Sequence, residues 1–108
     1  MANTYLSTGA SVGNTYSALY NNGDPNITSI VKSLYFCNTS TGTYYVSAKT
    51  EITFGGTEIT LINSGQVPPN TTLQVLDGNL VLNGRCDLSI KADTASVIEA
   101  TASILEIS

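Results

Sequence analysis

The chain has 108 residues, the size of one ordinary domain, and can build a two-layer core without disulfides or metals. Eight acidic and four basic residues give a net charge of −4, and the basic residues are scattered, which argues against nucleic-acid binding. No histidine is present, so imidazole bases, histidine-based nucleophile pairs and histidine metal sites are excluded. No apolar run approaches the roughly 20 residues that span a bilayer and no signal peptide is recognisable, so we expect no membrane contact.

The surface composition is unusual for a soluble domain. Thr, Ser and Asn contribute 37 residues, whereas charged residues make up only 11% of the chain. Short polar side chains lose little entropy on contact and leave few charges to desolvate, so this composition favours a protein that is packed in an assembly. The alternative is that Thr is abundant because it is a good strand former.

The first segment, residues 1–13, is small and polar with two larger side chains, Tyr5 and Leu6. Its alternation is too weak to predict a strand within a sheet. We therefore expect an N-terminal arm or edge segment in 1–13 and one β-sandwich domain in 14–108.

The rest of the chain shows the short alternating runs that are typical of β-strands. In chain order these runs are Thr15–Tyr20, Ile27–Cys37, Thr43–Thr50, Ile52–Phe54, Glu58–Ile62, Leu73–Leu76, Leu80–Leu82, a run around Leu88 and Ile90, and Ser96–Ile107. The last run could also be a helix, but its β-branched residues favour a strand. About eight short strands separated by turn residues predict an all-β fold, an antiparallel β-sandwich or a barrel.

Two features of this pattern predict details of the sheets. Ile27–Cys37 is apolar on both faces after Ser33, which predicts a central strand covered on both sides at one end. Asp77-Gly78 and Asn83-Gly84 each lie between apolar runs and are the dipeptides that two-residue hairpins prefer. We therefore expect a three-stranded antiparallel meander within Val67–Ala92.

Nothing in the sequence predicts catalysis. Two cysteines cannot form a structural zinc site, and Cys37 and Cys86 could pair only if the fold brings their Cα atoms within about 7 Å. Without a secretion signal we expect free thiols. Asp77 and Asp87 lie at predicted turns, where aspartate commonly bonds the local backbone. The sequence predicts no enzyme, no cofactor and no metal.

The order of several phrases resembles the small structural proteins of tailed bacteriophage particles. The phrases are Ile30–Asn38, with its Ile-Val-Lys-Ser-Leu-x-x-Cys-Asn pattern, then Pro69–Leu82, the turn and Asp of Gly84–Leu88, and the closing strand Ser103–Ile107. The resemblance spans roughly residues 15 to 107. The chain departs from it where Arg85 and Cys86 separate a Gly-Asp pair, and in the middle segment 51–63.

The resemblance implies a β-sandwich or jelly-roll virion protein, most simply one that decorates and stabilises the capsid. Its implied partners are the major capsid protein or other virion proteins, met during assembly in the host bacterial cytoplasm. Symmetric lattice points favour a homo-oligomer, with a trimer as the first expectation. The alternatives are a neck, tail or baseplate component and a receptor- or carbohydrate-binding module. The candidate interface residues are Tyr5, Leu6, Tyr20, Tyr44 and Tyr45.

Overall fold

A computed structural model describes residues 3–21, 24, 26–51, 58–83 and 86–107 of the chain. These residues form eight strands and no helix. The strands are β1 (Asn3–Ser11), β2 (Ser17–Asn21), β3 (Thr28–Asn38), β4 (Tyr44–Glu51), β5 (Glu58–Val67), β6 (Thr72–Asn83), β7 (Asp87–Ala92) and β8 (Ile98–Ile107).

The strands form two four-stranded antiparallel sheets. The first sheet has the order β1-β8-β3-β6 and the second has the order β2-β7-β4-β5. Most connections cross from one sheet to the other, and this strand order is that of the eight-stranded jelly roll. The predicted all-β sandwich of jelly-roll type is therefore confirmed.

The core lies between the two sheets and is built from alternate residues of the central strands. In β8 the inward side chains are Ile98, Ala100, Ala102 and Ile104, all 1% exposed or less, as the alternation predicted. The predicted inner face of β4, with Val46 and Ala48, is likewise fully buried. Small alanines on both sheets let the sheets approach closely around larger neighbours.

A bulge in β3 changes which of its side chains face the core. Val31 is fully buried, the pairing with both neighbours shifts between Val31 and Ser33, and Leu34 and Phe36 are then buried. An extra residue exchanges the two faces of a strand, because side chains alternate with a period of two. The strand is central, as predicted. The predicted cover on both sides is wrong, since Tyr35 is 36% exposed and no described residues form a layer over this face.

The predicted hairpin turn at Asp77-Gly78 is also wrong. The strand β6 continues from Thr72 to Asn83 and pairs with β3 throughout. Ser33 pairs with Asp77 and Val31 pairs with Leu80, so β6 carries one extra residue at this point. Asp-Gly suits a bulge as well as a turn, because both need a residue that tolerates unusual backbone angles.

The predicted meander within Val67–Ala92 does not form, because β6 and β7 lie in opposite sheets. The predicted turn at Asn83-Gly84 falls partly outside the described residues, and the predicted run Ile52–Phe54 falls wholly outside them. The strands on either side of that gap, β4 and β5, do pair with each other.

The N-terminal segment forms β1 and lies at the edge of the first sheet. Its nine residues pair with β8 from Asn3 opposite Ile107 to Ser11 opposite Glu99, without a shift in register. Val12, which follows β1, is 1% exposed and its N–H donates to the carbonyl of Ile98. Removal of residues 2–13 would therefore take away a whole strand and a core side chain.

Asn38 closes the core where β3 leaves the first sheet. It is fully buried, its Nδ2 donates to the carbonyls of Gly42 and Val67 at 2.7 and 3.0 Å, and its Oδ1 accepts from the N–H of Ser40 at 2.9 Å. We expect Asn38→Ala to lower the free energy of unfolding by about 1–3 kcal/mol, because it leaves buried backbone groups without partners. Urea titration measures this loss. The control Asn63→Ala removes an exposed side chain of β5. If it lowered the free energy of unfolding by more than roughly 0.5 kcal/mol, the loss at Asn38 could not be assigned to its buried hydrogen bonds.

Candidate interaction surface

The outer faces of the two sheets differ in charge. On the first sheet the outward side chains that the structure describes, which do not include those of residues 77–79, are mostly Ser, Thr and apolar residues, and only Lys32 and Glu99 among them are charged. The outer face of the second sheet carries five charged side chains, Lys49, Glu51, Glu58, Asp87 and Lys91. Desolvation of charge opposes protein contacts, so the first face is the better suited to bury against a partner.

Several charged side chains on the outer face of the second sheet already contact other residues of the same chain. Lys49 Nζ lies 3.0 Å from Glu58 Oε2 and 4.3 Å from the centre of the Tyr16 ring, and Lys91 Nζ lies 4.9 Å from the same ring. Burial, and then the nearby Glu51 carboxylate, raises the pKa of Asp87 above its usual range. These groups form a solvated polar face.

An apolar row crosses the first face from one edge strand to the other. Tyr5 on β1 pairs with Leu105 on β8, Leu105 pairs with Ile30 on β3, and Ile30 pairs with Val81 on β6. Tyr5 is 75% exposed and Val81 is 45% exposed, while Leu105 and Ile30 are half-buried. Side chains that are directly opposite on one sheet face touch one another, so the four residues form a continuous strip that we call the outer row.

A shallow open groove of about 370 Å³ lies beside the outer row. Its lining comes from three strands and comprises Tyr5, Leu6, Ser7, Lys32, Ser103 and Ile104. Lys32 is exposed. The groove therefore offers an apolar wall, serine hydroxyls and one cation to an incoming side chain.

Tyr5 and Leu6, which the sequence singled out, lie on opposite sides of β1. Tyr5 points outward into the outer row, whereas Leu6 is half-buried and packs against the core. Tyr5 is the more exposed of the two, although both residues line the groove.

Tyr20 lies in the core and ties the two sheets together. It is 7% exposed, and its hydroxyl donates to Glu106 Oε2 at 2.5 Å and lies 2.6 Å from the Ser29 hydroxyl, which donates to it. Tyr20 belongs to the second sheet, whereas Ser29 and Glu106 are paired neighbours in the first. Burial, and then the bond to Glu106, raises the pKa of Tyr20 to about 12.

Tyr44 and Tyr45 lie on β4 in the second sheet, away from Tyr5. Tyr44 is half-buried against the core, and Tyr45 is 42% exposed, with its backbone bonded to Asp93. Of the other predicted interface residues, only Leu6 lies near Tyr5, in the lining of the same groove, and Tyr20, Tyr44 and Tyr45 lie elsewhere. The exposed tyrosines are spread over both sheets and form no shared aromatic platform of the kind that sugar-binding modules present.

The sequence did not single out Leu105, Ile30 and Val81, the partners of Tyr5. Ile30 and Leu105 stood in the recognised alternating runs, but the bulge in β3 conceals that Ile30 faces outward while Leu34 faces inward. Val81 was expected in a hairpin. The strand pairing, which joins residues far apart in the chain, was the missing information.

No further chemistry is present among the described residues. Cys37 is half-buried on the outer face of the first sheet, Cys86 is enclosed in the core, and neither forms a disulfide. No group of three or more His, Cys, Asp and Glu side chains in the described ranges could hold a metal ion. The described part of the chain has no helix that could cross a membrane.

No protein-family model and no curated protein sequence matches the chain. Solved structures do resemble it. A chain in the structure of infectious bursal disease virus, Gx strain, superposes with a TM-score of 0.59 at 16% identity, over 98% of this chain and 33% of that one. This chain thus spans about a third of the length of that viral chain.

Two other similar structures are nearer to this chain in length. In the acid-stable capsid of the Helicobacter pylori bacteriophage KHP30, the TM-score is 0.56 at 9% identity, over 100% of this chain and 94% of that one. In Bacillus endospore appendages, described as disulfide-linked pili, it is 0.57 at 11% identity, over 99% and 87%. At such low identity these similarities show a shared fold, one that occurs in viral capsids and in a pilus.

Proposed function

We propose that this chain is a structural protein of a tailed-phage virion that decorates the capsid and stabilises it by binding across capsid subunits. The outer row carries the proposal, because it is an exposed apolar strip on a face whose described side chains include only two charged ones, Lys32 and Glu99. The jelly-roll fold and the phage-like phrases in the sequence support the same role. The mechanism is mechanical, since a ligand that binds only the assembled shell stabilises that shell by mass action.

The outer face of the first sheet is the surface that we place against the capsid. Tyr5 is the anchor, since a tyrosine buries a large area and loses few rotamers on binding. Lys32, beside the groove, would meet an acidic side chain of the major capsid protein. The second face, with its engaged lysines and acids, would remain toward water.

The oligomeric state in this role is a separate expectation. Symmetric lattice points favour a homotrimer, and the mass of the purified chain tests this expectation against the two-fold dimer that is inferred below from β1. The major capsid protein as partner, and assembly in the host bacterial cytoplasm, follow from the decoration role.

Replacing Tyr5 and Val81 by serine should weaken binding to purified capsids without unfolding the chain. The two changes remove exposed apolar area at the two ends of the outer row, so each should raise the Kd about tenfold or more. Occupancy on capsids, measured by co-sedimentation, and the heat resistance of the capsids should fall together. Tyr45→Ser, an exposed tyrosine on the second sheet, serves as the matched control and should bind as the unmodified chain does.

Two outcomes would contradict the proposal. In one, Tyr45→Ser weakens capsid binding as much as Tyr5→Ser, which would place the contact on the other sheet. In the other, the unmodified chain binds no capsid but co-purifies with tails, which would favour the neck, tail or baseplate alternative.

A filament subunit is the second candidate, favoured by the likeness to the endospore appendages over nearly the full length of both chains. The chain is poorly suited to disulfide links between subunits, because Cys86 is fully buried and Cys37 is half-buried. Electron microscopy of the concentrated pure chain distinguishes the two roles. Long filaments would favour this candidate, and their absence would favour decoration.

A further inference from the structure

We infer that the free edge of β1 pairs with β1 of a second copy of this chain, antiparallel and about a two-fold axis centred on Ser7. The contact would join the two first sheets into one continuous sheet. The inference depends only on β1 and is independent of the role in a virion.

The hydrogen-bond parity of β1 shows which backbone groups are free. The N–H of Val12 donates to the carbonyl of Ile98, and the carbonyl of Val12 accepts from Ser96. Since the register of β1 with β8 has no shift, the even-numbered residues of β1 bond β8 in the same way. The N–H and C=O groups of the odd-numbered residues, Asn3 to Ser11, therefore point away from the sheet.

The edge of β1 is the only one of the four sheet edges in the described chain that nothing interrupts. The edge strands β5 and β6 each shift register twice against their neighbours, and the short β2 shifts once. β1 contains no charged residue, no proline and no bulge in nine residues. Proteins normally protect free edges with those devices, so an unprotected edge of this length indicates a pairing surface.

The side chains of β1 are complementary to themselves in the register that pairs all nine residues. Ser7 lies opposite Ser7 of the second copy, and Tyr5 lies opposite its Gly9. Tyr5 is 75% exposed in the single chain, and an added Cβ at Gly9 would contact only the carbonyl of Ala100 and the hydroxyl of Thr101. The space over Gly9 is thus open to the ring of Tyr5, a cross-strand cover of glycine by an aromatic side chain.

The contact between β1 and β2 inside the sandwich does not use the free backbone groups of β1. The side chain of Thr8, an even-numbered residue, donates to the carbonyl of Leu19 on β2 at 3.2 Å and closes the sandwich there. The odd-numbered backbone groups take no part in that bond. In the inferred dimer these N–H and C=O groups bond to the N–H and C=O groups of the odd-numbered residues in the second copy. An identical strand therefore fits this edge.

A register-specific cross-link tests the pair. In a Cys37→Ser background, Ser7→Cys would place two thiols on paired residues with Cα atoms about 5.5 Å apart, within disulfide range. Mild oxidation of the purified chain should give covalent dimers. The control Asn3→Cys places its two thiols roughly 26 Å apart and should give none by itself, but should cross-link when mixed with Ser11→Cys.

A proline at the same position tests the hydrogen bonds. The N–H of Ser7 points away from β8, so Ser7→Pro should leave melting close to that of the unmodified chain. It removes both N–H donors of the central pair and should raise the dimer Kd about tenfold or more in sedimentation experiments. Ser7→Thr retains the N–H and should pair as before.

Three results would overturn the inference. In the first, the chain stays monomeric at roughly 100 µM and the Ser7→Cys variant gives no covalent dimer. In the second, the Ser7→Pro chain pairs as well as the Ser7→Thr chain. In the third, the purified chain is an isolated trimer, which a two-fold contact cannot build. Because no particle is used, failure here leaves the capsid-binding result for Tyr5 and Val81 intact.

Discussion

Replacing Phe36 by alanine should lower the free energy of unfolding by about 3–5 kcal/mol, a large part of the 5–15 kcal/mol of a typical domain. Phe36 is fully buried on β3, the strand that lies between β8 and β6. The midpoint of thermal unfolding should fall by more than about 10 °C. Tyr35→Ala, at the adjacent outward position, should cost about 1 kcal/mol or less.

The same strand offers a test of its bulge. Val31→Ala should be costly, at about 2 kcal/mol, and Ile30→Ala mild, because Val31 is fully buried whereas Ile30 lies on the outer face. A strand without the bulge would place Val31 on the same face as Tyr35, and Ile30 on the same face as Phe36. Equal, large costs at Ile30 and Phe36 would contradict the structure.

Replacing Tyr20 by phenylalanine should cost about 1–3 kcal/mol at neutral pH, because Glu106 and Ser29 lose their shared partner across the sandwich. The pH dependence tests the burial of the Tyr20 hydroxyl together with its bond to Glu106. The pKa of Tyr20 is raised to about 12 in the folded chain, against 10.0 for an ordinary tyrosine. Between these values the unfolded chain releases a proton that the folded chain retains, so stability falls as the pH rises.

The phenylalanine variant lacks this proton and should lose less stability in that range. The difference in the free energy of unfolding between the two chains should therefore shrink by roughly 2 kcal/mol from pH 10 to 12. Urea titrations across that range measure it, with the exposed Tyr5→Phe as the control. A difference that stays constant with pH would show that Tyr20 ionises freely and does not join the sheets.

Alternation predicted the strands well where one face of a strand is buried without interruption. The inner faces of β8 and β4 follow a period of two, so their core residues could be read from the sequence. The positions of β2, β3, β4, β7 and β8 could be read for the same reason, whereas residues 1–13 were expected as an arm or edge segment and β6 was expected as two strands. The hydroxyl-rich composition also indicated a surface with few charges, which the first face has.

The bulges and the connections could not be predicted in the same way. Asp77-Gly78 satisfies the local requirements of a hairpin and of a bulge, and only the pairing of β6 with β3 decides between them. The bulge in β3 separates Ile30 from Leu34, although both are aliphatic and share a parity in the sequence. The outer row could not be predicted because its four members come from four strands.

A cryo-electron microscopy reconstruction of the virion that carries this chain tests the central claim most directly. We expect one jelly-roll density on the outer surface of the capsid, with the outer row and Lys32 against capsid subunits. Lys49 and Lys91, on the second sheet, should face solvent. A density in the tail, or one bound to the capsid through the second sheet, would contradict the account.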